Sequence, residues 1–378
     1  MNDVVRKLAS VRRIEAINPI EGADNIVCAT VDGWKLVTQK SNNFAPGDLV
    51  VYFEIDSFLP AIEKFEFLRK SSLKVMDNVE GFRLKTIKLR GTTSQGLIMK
   101  LEEILKDYEG FWKHEHNKNE THNWAYKRNF ALPNGVTDIE YLDVEEGFDL
   151  TELLGIKKWE APIHPSLAGK ARSNFPEFIR KTDQERVQNV FKYFSRYKKT
   201  SSRYEMTLKL DGSSTTIYCK SGYVGVCSRN LDLSETEENA FWKVARSTNL
   251  ISALESYGRN IAIQGELMGP GVQGNRENLK VLELYVFDIF DIDKQEYMDY
   301  EERKSVIGNL MSLNASFKEA PNLGIIDIND IESVQQMLDM ADRPSISHPI
   351  AEGIVFKSLT NPRHSFKVIS NAFLLKEK

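Results

Sequence analysis

At 378 residues, with 41% apolar and 28% charged side chains, the chain has the composition of a soluble globular protein with room for two or three separately cored domains. No apolar run approaches the roughly 18 residues that span a bilayer. The opening MNDVVRKLASVRR has no signal-peptide core, and the three cysteines (Cys28, Cys219, Cys227) lack metal-type C-x-x-C spacing, so a cytoplasmic protein with no membrane partner is expected.

The net charge of −4 hides an asymmetry. Residues 165–209 carry eleven Lys/Arg against four Asp/Glu, a net of +7, and 357–378 carry five against one, a net of +4. Residues 291–342 reverse this, with twelve acids against four bases, a net of −8. Local basic faces, not the average, set polyanion binding, so nucleic acid stays a candidate partner.

Residues 1–105 read as short strands. LASVRRIEAINPI, NIVCATVDG, WKLVTQK, DLVVYFEI and FRLKTIKLRGTTSQGLIM are separated by turn signals such as EGAD, NNFAPGD and DNVEG. Five or six strands in a hundred residues predict a small OB-like β-barrel, a module that often binds nucleic acid. Arg83, Lys85, Lys88 and Arg90 form either its basic face or the charged outer side of an edge strand.

Residues 106–165 read as a connecting region. Its polar run HEHNKNETHNWAYKRN holds His114, His116 and His122, but a flexible loop without thiolates is a poor zinc site.

From 166 to 378 the pattern is α+β, with antiparallel sheets and helices. FPEFIRKTDQERVQNVFKYFSRYKK gives an amphipathic helix after an extended entry, and helices are expected near 236–257, 300–312 and 330–341. Strands are expected at 204–210, 214–219, 223–227, 261–267, 284–290, 352–357 and 365–369. Alternation in YEMTLKL and STTIYCK reads as a hairpin turning at Asp211-Gly212-Ser213.

Several of these strand ends carry similar chemistry. Lys209 precedes the turn, and SRN places Arg229 and Asn230 after a strand. GELMGPGVQGN gives Glu266, YVFDIFD gives Phe287 and Asp288, EGIVFK gives Glu352 and Lys357, and HSFK gives Lys367. An acid within an apolar strand is costly unless paired or metal-bound, so these groups predict one shared polar pocket.

In this order the motifs K-x-D-G, S-R-N, G-E-L, F-D-I, E-G-I-V-F-K and F-K resemble those of the covalent nucleotidyltransferases, which include RNA ligases, DNA ligases and mRNA capping enzymes. KLDGSSTTI, SRN and GELMGPGVQGN look like the nick-sealing RNA ligases. An OB-like module placed first, together with FPEFIRKTDQERVQN, is similar to the Deinococcus group. Two positions depart from the phage-type pattern: Leu208 stands where Glu usually precedes the nucleophile, and Ile369 stands where the last motif usually has a second lysine. DNA ligases and capping enzymes place an OB domain after the last motif, whereas eleven residues follow Lys367 here. An inactive RNA-binding relative would not need Lys209-x-Asp211-Gly212 together with Glu352.

The resemblance implies an adenylyltransferase domain of the ATP-grasp-like ligase kind, with ATP and Mg²⁺ or Mn²⁺ as cofactors. It implies a nicked RNA or RNA/DNA duplex as substrate and a monomeric enzyme. Lys209 would carry AMP, pass it to an RNA 5′-phosphate, and a 3′-hydroxyl would then displace it. Such an amine attacks only when neutral, and a neighbouring cation would lower its pKa. Lys357 and Lys367 would meet the α-phosphate and pyrophosphate, and Asp211 and Gly212 would lie at the nucleotide. Arg229 would meet the ribose or a phosphate, unless it is a structural ion pair. Phe287 would stack on adenine, unless it is a core aromatic, and Glu266 would accept from the ribose hydroxyls. Glu352 and Asp288 would hold the metal as hard oxygen donors. Gln188 and Asn189 would contact the base.

Overall fold

The computed structural model describes residues 6–113, 124–131, 137–160 and 169–376. Two compact units emerge, Val5–Pro162 and Ile163–Lys378.

The first unit is built from short antiparallel strands. Ala9–Arg13 and Leu97–Lys100 flank Leu49–Phe53, and Ala16–Pro19, Ile26–Val31 and Trp34–Gln39 form a second three-stranded sheet. Apolar residues of Ala9–Arg13, Leu49–Phe53 and a further strand, Val79–Arg83, make one core that includes Val11, Val51, Phe53 and Phe82. Arg83 is not on an open basic face: it pairs with Asp56 at 3.3 Å and lies over the Trp159 ring. Lys85, Lys88 and Arg90 are exposed, the last two on the Ile87–Leu89/Thr92–Ser94 hairpin.

The expected connecting region is instead part of this unit. Phe111–Lys113, Trp124–Ala131 and Thr137–Asp143 form a sheet, and Val144, Leu150, Leu154 and Ile156 enter the same core. The polar run between these strands masked them in the sequence. His114, His116 and His122 lie outside the described residues.

The second unit has two sheets. One has the order Glu185–Arg186, Ser365–Ile369, Gly353–Ser358, Arg203–Lys209, Asn322–Asp327. The other centres on Tyr223–Cys227, Ser213–Lys220, Ile261–Met268 and Glu283–Asp291. Period-two alternation sorts each strand into two sides, and in the larger sheet both carry buried apolar residues, with Tyr218, Cys227, Ala262 and Phe290 clustered on one of them. In the five-stranded sheet, Tyr204, Ile354, Phe356, Phe366 and Val368 join Val187, Val190 and Phe194 in a core. In the larger sheet, Ile217, Val226, Ile263 and Val286 pack on Trp242, Leu250, Leu254 and Leu310 of the Ala240–Ser247, Leu250–Tyr257 and Tyr300–Ser312 helices.

The expected hairpin at Asp211-Gly212-Ser213 is a crossover. Arg203–Lys209 pairs with strands of the smaller sheet and Ser213–Lys220 with strands of the larger one, not with each other. Gly212 makes the passage possible, because a Cβ there would lie 2.4 Å from the Leu267 carbonyl oxygen. Local alternation marks two strands around a turn, but it cannot tell which partners they choose.

Candidate active site

The register of the smaller sheet collects the cations. Lys209 stands opposite Gly353, Lys357 opposite Glu205, and Lys367 opposite Val355, so the three lysines share the face turned away from the core. A Cβ at Gly353 would come 2.0 Å from the Val368 carbonyl oxygen, so no larger residue fits beside Lys209.

Lys209 Nζ lies 2.6 Å from Glu352 Oε1. Burial alone would lower its pKa, but the Glu352, Glu266 and Asp211 carboxylates outweigh burial and hold the ammonium above its ordinary value. Among the described residues, the side-chain charges that act on this lysine are the carboxylates of Glu352, Glu266 and Asp211. Glu266 accepts from the Gly212 backbone N–H at 3.0 Å, which ties the crossover turn to the larger sheet. Burial, with Glu352 and Asp211 adding to it, pushes the Glu266 carboxyl up to about 8 despite the opposing Lys209 charge.

That crowding of acids is an electrostatic fit for a divalent cation. Among the described residues no three His, Cys, Asp or Glu side chains form a ready-made chelate. A cation here would take one or two carboxylates and complete its shell from phosphate oxygens and water, as Mg²⁺ prefers. Glu352 and Glu266 are the residues placed to hold it.

Asp288 faces two of the chain's own cations. Its carboxylate sits 2.7 Å from Lys357 Nζ and 3.9 Å from Arg303, and all three side chains are buried. The charges of Lys357 and Arg303 thus offset the buried Asp288 carboxylate within the chain itself. Burial, aided by Arg303, lowers the Lys357 pKa against the pull of Asp288. Lys357 also donates to the Phe287 carbonyl and lies over the Phe287 ring. The ring is half-buried where the register between Ile261–Met268 and Glu283–Asp291 slips by one residue, so the strand presents it rather than sinking it into the core.

Lys367 and Arg229 meet at one acid, Asp183, at 3.3 and 3.9 Å. Arg229 is otherwise open, with 55% of its side chain exposed. Gln188 is buried on the Val187–Val190 turn that follows a strand paired alongside Lys367, and Asn189 donates to Glu185 at 3.0 Å. Asp211 is held by Arg276 at 3.0 Å.

Asp183, Arg276, Arg303 and Glu205 carry no sequence signal of their own. Arg303 pairs with Glu205, which also accepts from Asn322. Arg303 sits on a helix, Asp183 and Arg276 in loops and Glu205 within the Arg203–Lys209 strand, and only the fold brings them to the site.

The RNA ligase family matches residues 202–369, which span every motif from Lys209 to Lys367, and an OB-fold domain family matches residues 8–101. A Naegleria gruberi RNA ligase variant solved without ligand is 39% identical, with a TM-score of 0.81, over 99% of this chain and 99% of that one. The chain belongs to the RNA ligase family. The Naegleria gruberi RNA ligase with pyrophosphate is 40% identical, with a TM-score of 0.80, over 99% of both chains. A lysine-to-methionine variant of it with AMP and Mn is 40% identical, with a TM-score of 0.81, over 98% of this chain and 99% of that one. No curated protein compared with the chain matches it. No described helix is long and apolar enough to cross a membrane.

Proposed function

We propose that this RNA ligase seals 3′-hydroxyl and 5′-phosphate ends at nicks in RNA or RNA/DNA duplexes, through AMP carried on Lys209. ATP and Mg²⁺ or Mn²⁺ are its cofactors, in keeping with the ATP, AMP and Mn bound by the Naegleria gruberi enzyme. An OB-fold unit ahead of the ligase unit supports a place in the Deinococcus-type group. Three free, buried cysteines fit a reducing compartment.

The carrying observation is Lys209 at the end of its strand, with Glu352 Oε1 at 2.6 Å and Lys357 and Lys367 on the same sheet face. Before attack, Lys209 must shed a proton from Nζ, and Glu352 holds that proton in a short hydrogen bond. The lone pair then forms the Nζ–Pα bond as the Pα–O bond to pyrophosphate breaks. Lys367 and Lys357 offer positive charge to the phosphates, which phosphoryl transfer requires more than covalent help. Bound Mg²⁺ or Mn²⁺ supplies the charge that offsets the carboxylates and favours the neutral amine. Phe287 offers its half-buried ring to the adenine, and Arg229 reaches the ribose or a phosphate.

Incubation with α-labelled ATP followed by a denaturing gel tests this directly. Label should stay on the wild-type chain and be lost entirely with Lys209→Ala. That variant should still seal a pre-adenylated strand, a step that bypasses the lysine adduct. Wild-type levels of label on Lys209→Ala would remove the nucleophile assignment.

A further inference from the structure

Arg276 lies in the loop that follows the Ile261–Met268 strand, beyond any of the ligase motifs. Its guanidinium ties three separate segments together. Nη1 donates to Asp211 Oδ2 at 3.0 Å, in the crossover turn two residues after Lys209. Nη2 donates to the Ile350 carbonyl at 3.2 Å and lies 3.2 Å from His348 Nδ1, in the segment that leads to Glu352. The guanidinium carbon Cζ also lies 4.7 Å from the centroid of the Phe373 ring, in the Asn371–Leu374 helix.

The neighbouring residue fastens the same joint. Glu277 is buried and accepts from the backbone N–H groups of Ser347 and His348 at 2.6 and 3.1 Å. Asn275 closes the loop on itself by accepting from the Leu279 N–H at 3.0 Å. The loop is thus a rigid mount, and Arg276 is the group it aims at Asp211.

We propose that Arg276 is a positioning residue for adenylation, acting through Asp211. Asp211 is one of the three carboxylates whose charge reaches Lys209. Held by Arg276, it keeps a fixed place beside the crossover turn, and its charge is partly offset by the guanidinium. Released, it is free to compete for the Lys209 ammonium and for the cations that must bind the triphosphate. Two separate nitrogens of the fork, Nη1 and Nη2, reach the carboxylate oxygen and the backbone carbonyl, a fixed geometry that a single ammonium at the end of a shorter side chain does not reproduce. The inference rests on the proposed adenylation of Lys209.

The test is a mutant cycle on the full chain, read as single-turnover AMP transfer from α-labelled ATP. Arg276→Met should slow transfer at saturating ATP by about tenfold or more, with the KM for ATP changed by less than about threefold. Arg276→Lys, which keeps the charge, should remain slow. Adding Arg276→Met to Asp211→Asn should cost little beyond Asp211→Asn alone, because the two residues act as one unit. Additive losses would show that Arg276 does not work through Asp211, and full activity of Arg276→Met would remove the role altogether. A rate loss that tracks a fall in melting temperature across both Arg276 variants would reduce it to a structural tie. If the wild-type chain takes up no label, the adenylation reading itself fails, which is a distinct outcome.

Discussion

The Lys209 ammonium is held charged by the Glu352, Glu266 and Asp211 carboxylates, the acids that a bound divalent cation would meet. Glu352 is the nearest of them, and its removal takes away both a hydrogen-bond acceptor and a hard oxygen donor. Glu352→Ala should therefore weaken AMP transfer and shift its Mn²⁺ or Mg²⁺ dependence to higher concentration. A metal titration curve that overlays the wild type would rule out a metal role for Glu352. The two other lysines separate by environment. Lys357 is locked between Asp288 and the Phe287 carbonyl, whereas Lys367 meets Asp183 nearer the surface. Both alanine variants should slow adenylation, but Lys357→Ala should also lower the melting temperature, because it leaves Asp288 buried with a single cation. A lowered melting temperature for Lys367→Ala alone would invert that assignment. The motif residues were legible because their chemistry is concentrated at strand ends, a pattern that a single sequence displays. Arg276 and Asp183 were not, because a lone charge in a loop has no period and no fixed spacing from its partner.

Strands and helices follow local rules, and these elements lie close to where alternation and capping put them. The Tyr300–Ser312 helix starts where Asp299 accepts from the Glu302 N–H at 2.9 Å, with Glu301 and Glu302 in its first turn. Which strand pairs with which is a non-local choice, so the crossover at Gly212 looked like a hairpin. The same non-local packing makes that helix part of the site. Its Arg303 reaches from the helix to Glu205 on one sheet and Asp288 on the other. Four buried charges, Arg303, Lys357, Glu205 and Asp288, balance each other there. Removing one partner of a buried ionic group strands the rest, at a cost of about 3–5 kcal/mol. Arg303→Met should lower stability by that order in urea unfolding and slow adenylation as Lys357 loses its support. A variant as stable as the wild type would show that the network does not hold the two sheets together.

At the scale of the whole chain, two units each have a core of their own. Every motif proposed to meet ATP lies after residue 200, and among the described residues the core beneath the three lysines runs from Val187 to Val368. The first unit ends well past residue 105, because Leu150, Leu154 and Ile156 complete its core. A cut at residue 105 would therefore open that core, and the informative truncation removes residues 1–162. Adenylation of Lys209 in the remaining chain should stay near the wild-type rate. Sealing of a nicked duplex should fall by a much larger factor, since an OB-fold supplies surface for gripping the strand. The sealing lost on truncation should also be the salt-sensitive part, because each phosphate contact releases counterions and steepens the dependence on salt. Circular dichroism on the truncated chain separates a lost grip from a lost fold. A folded truncation that seals nicks as fast as the full chain, with the same salt dependence, would show that the OB-fold unit does not hold the substrate.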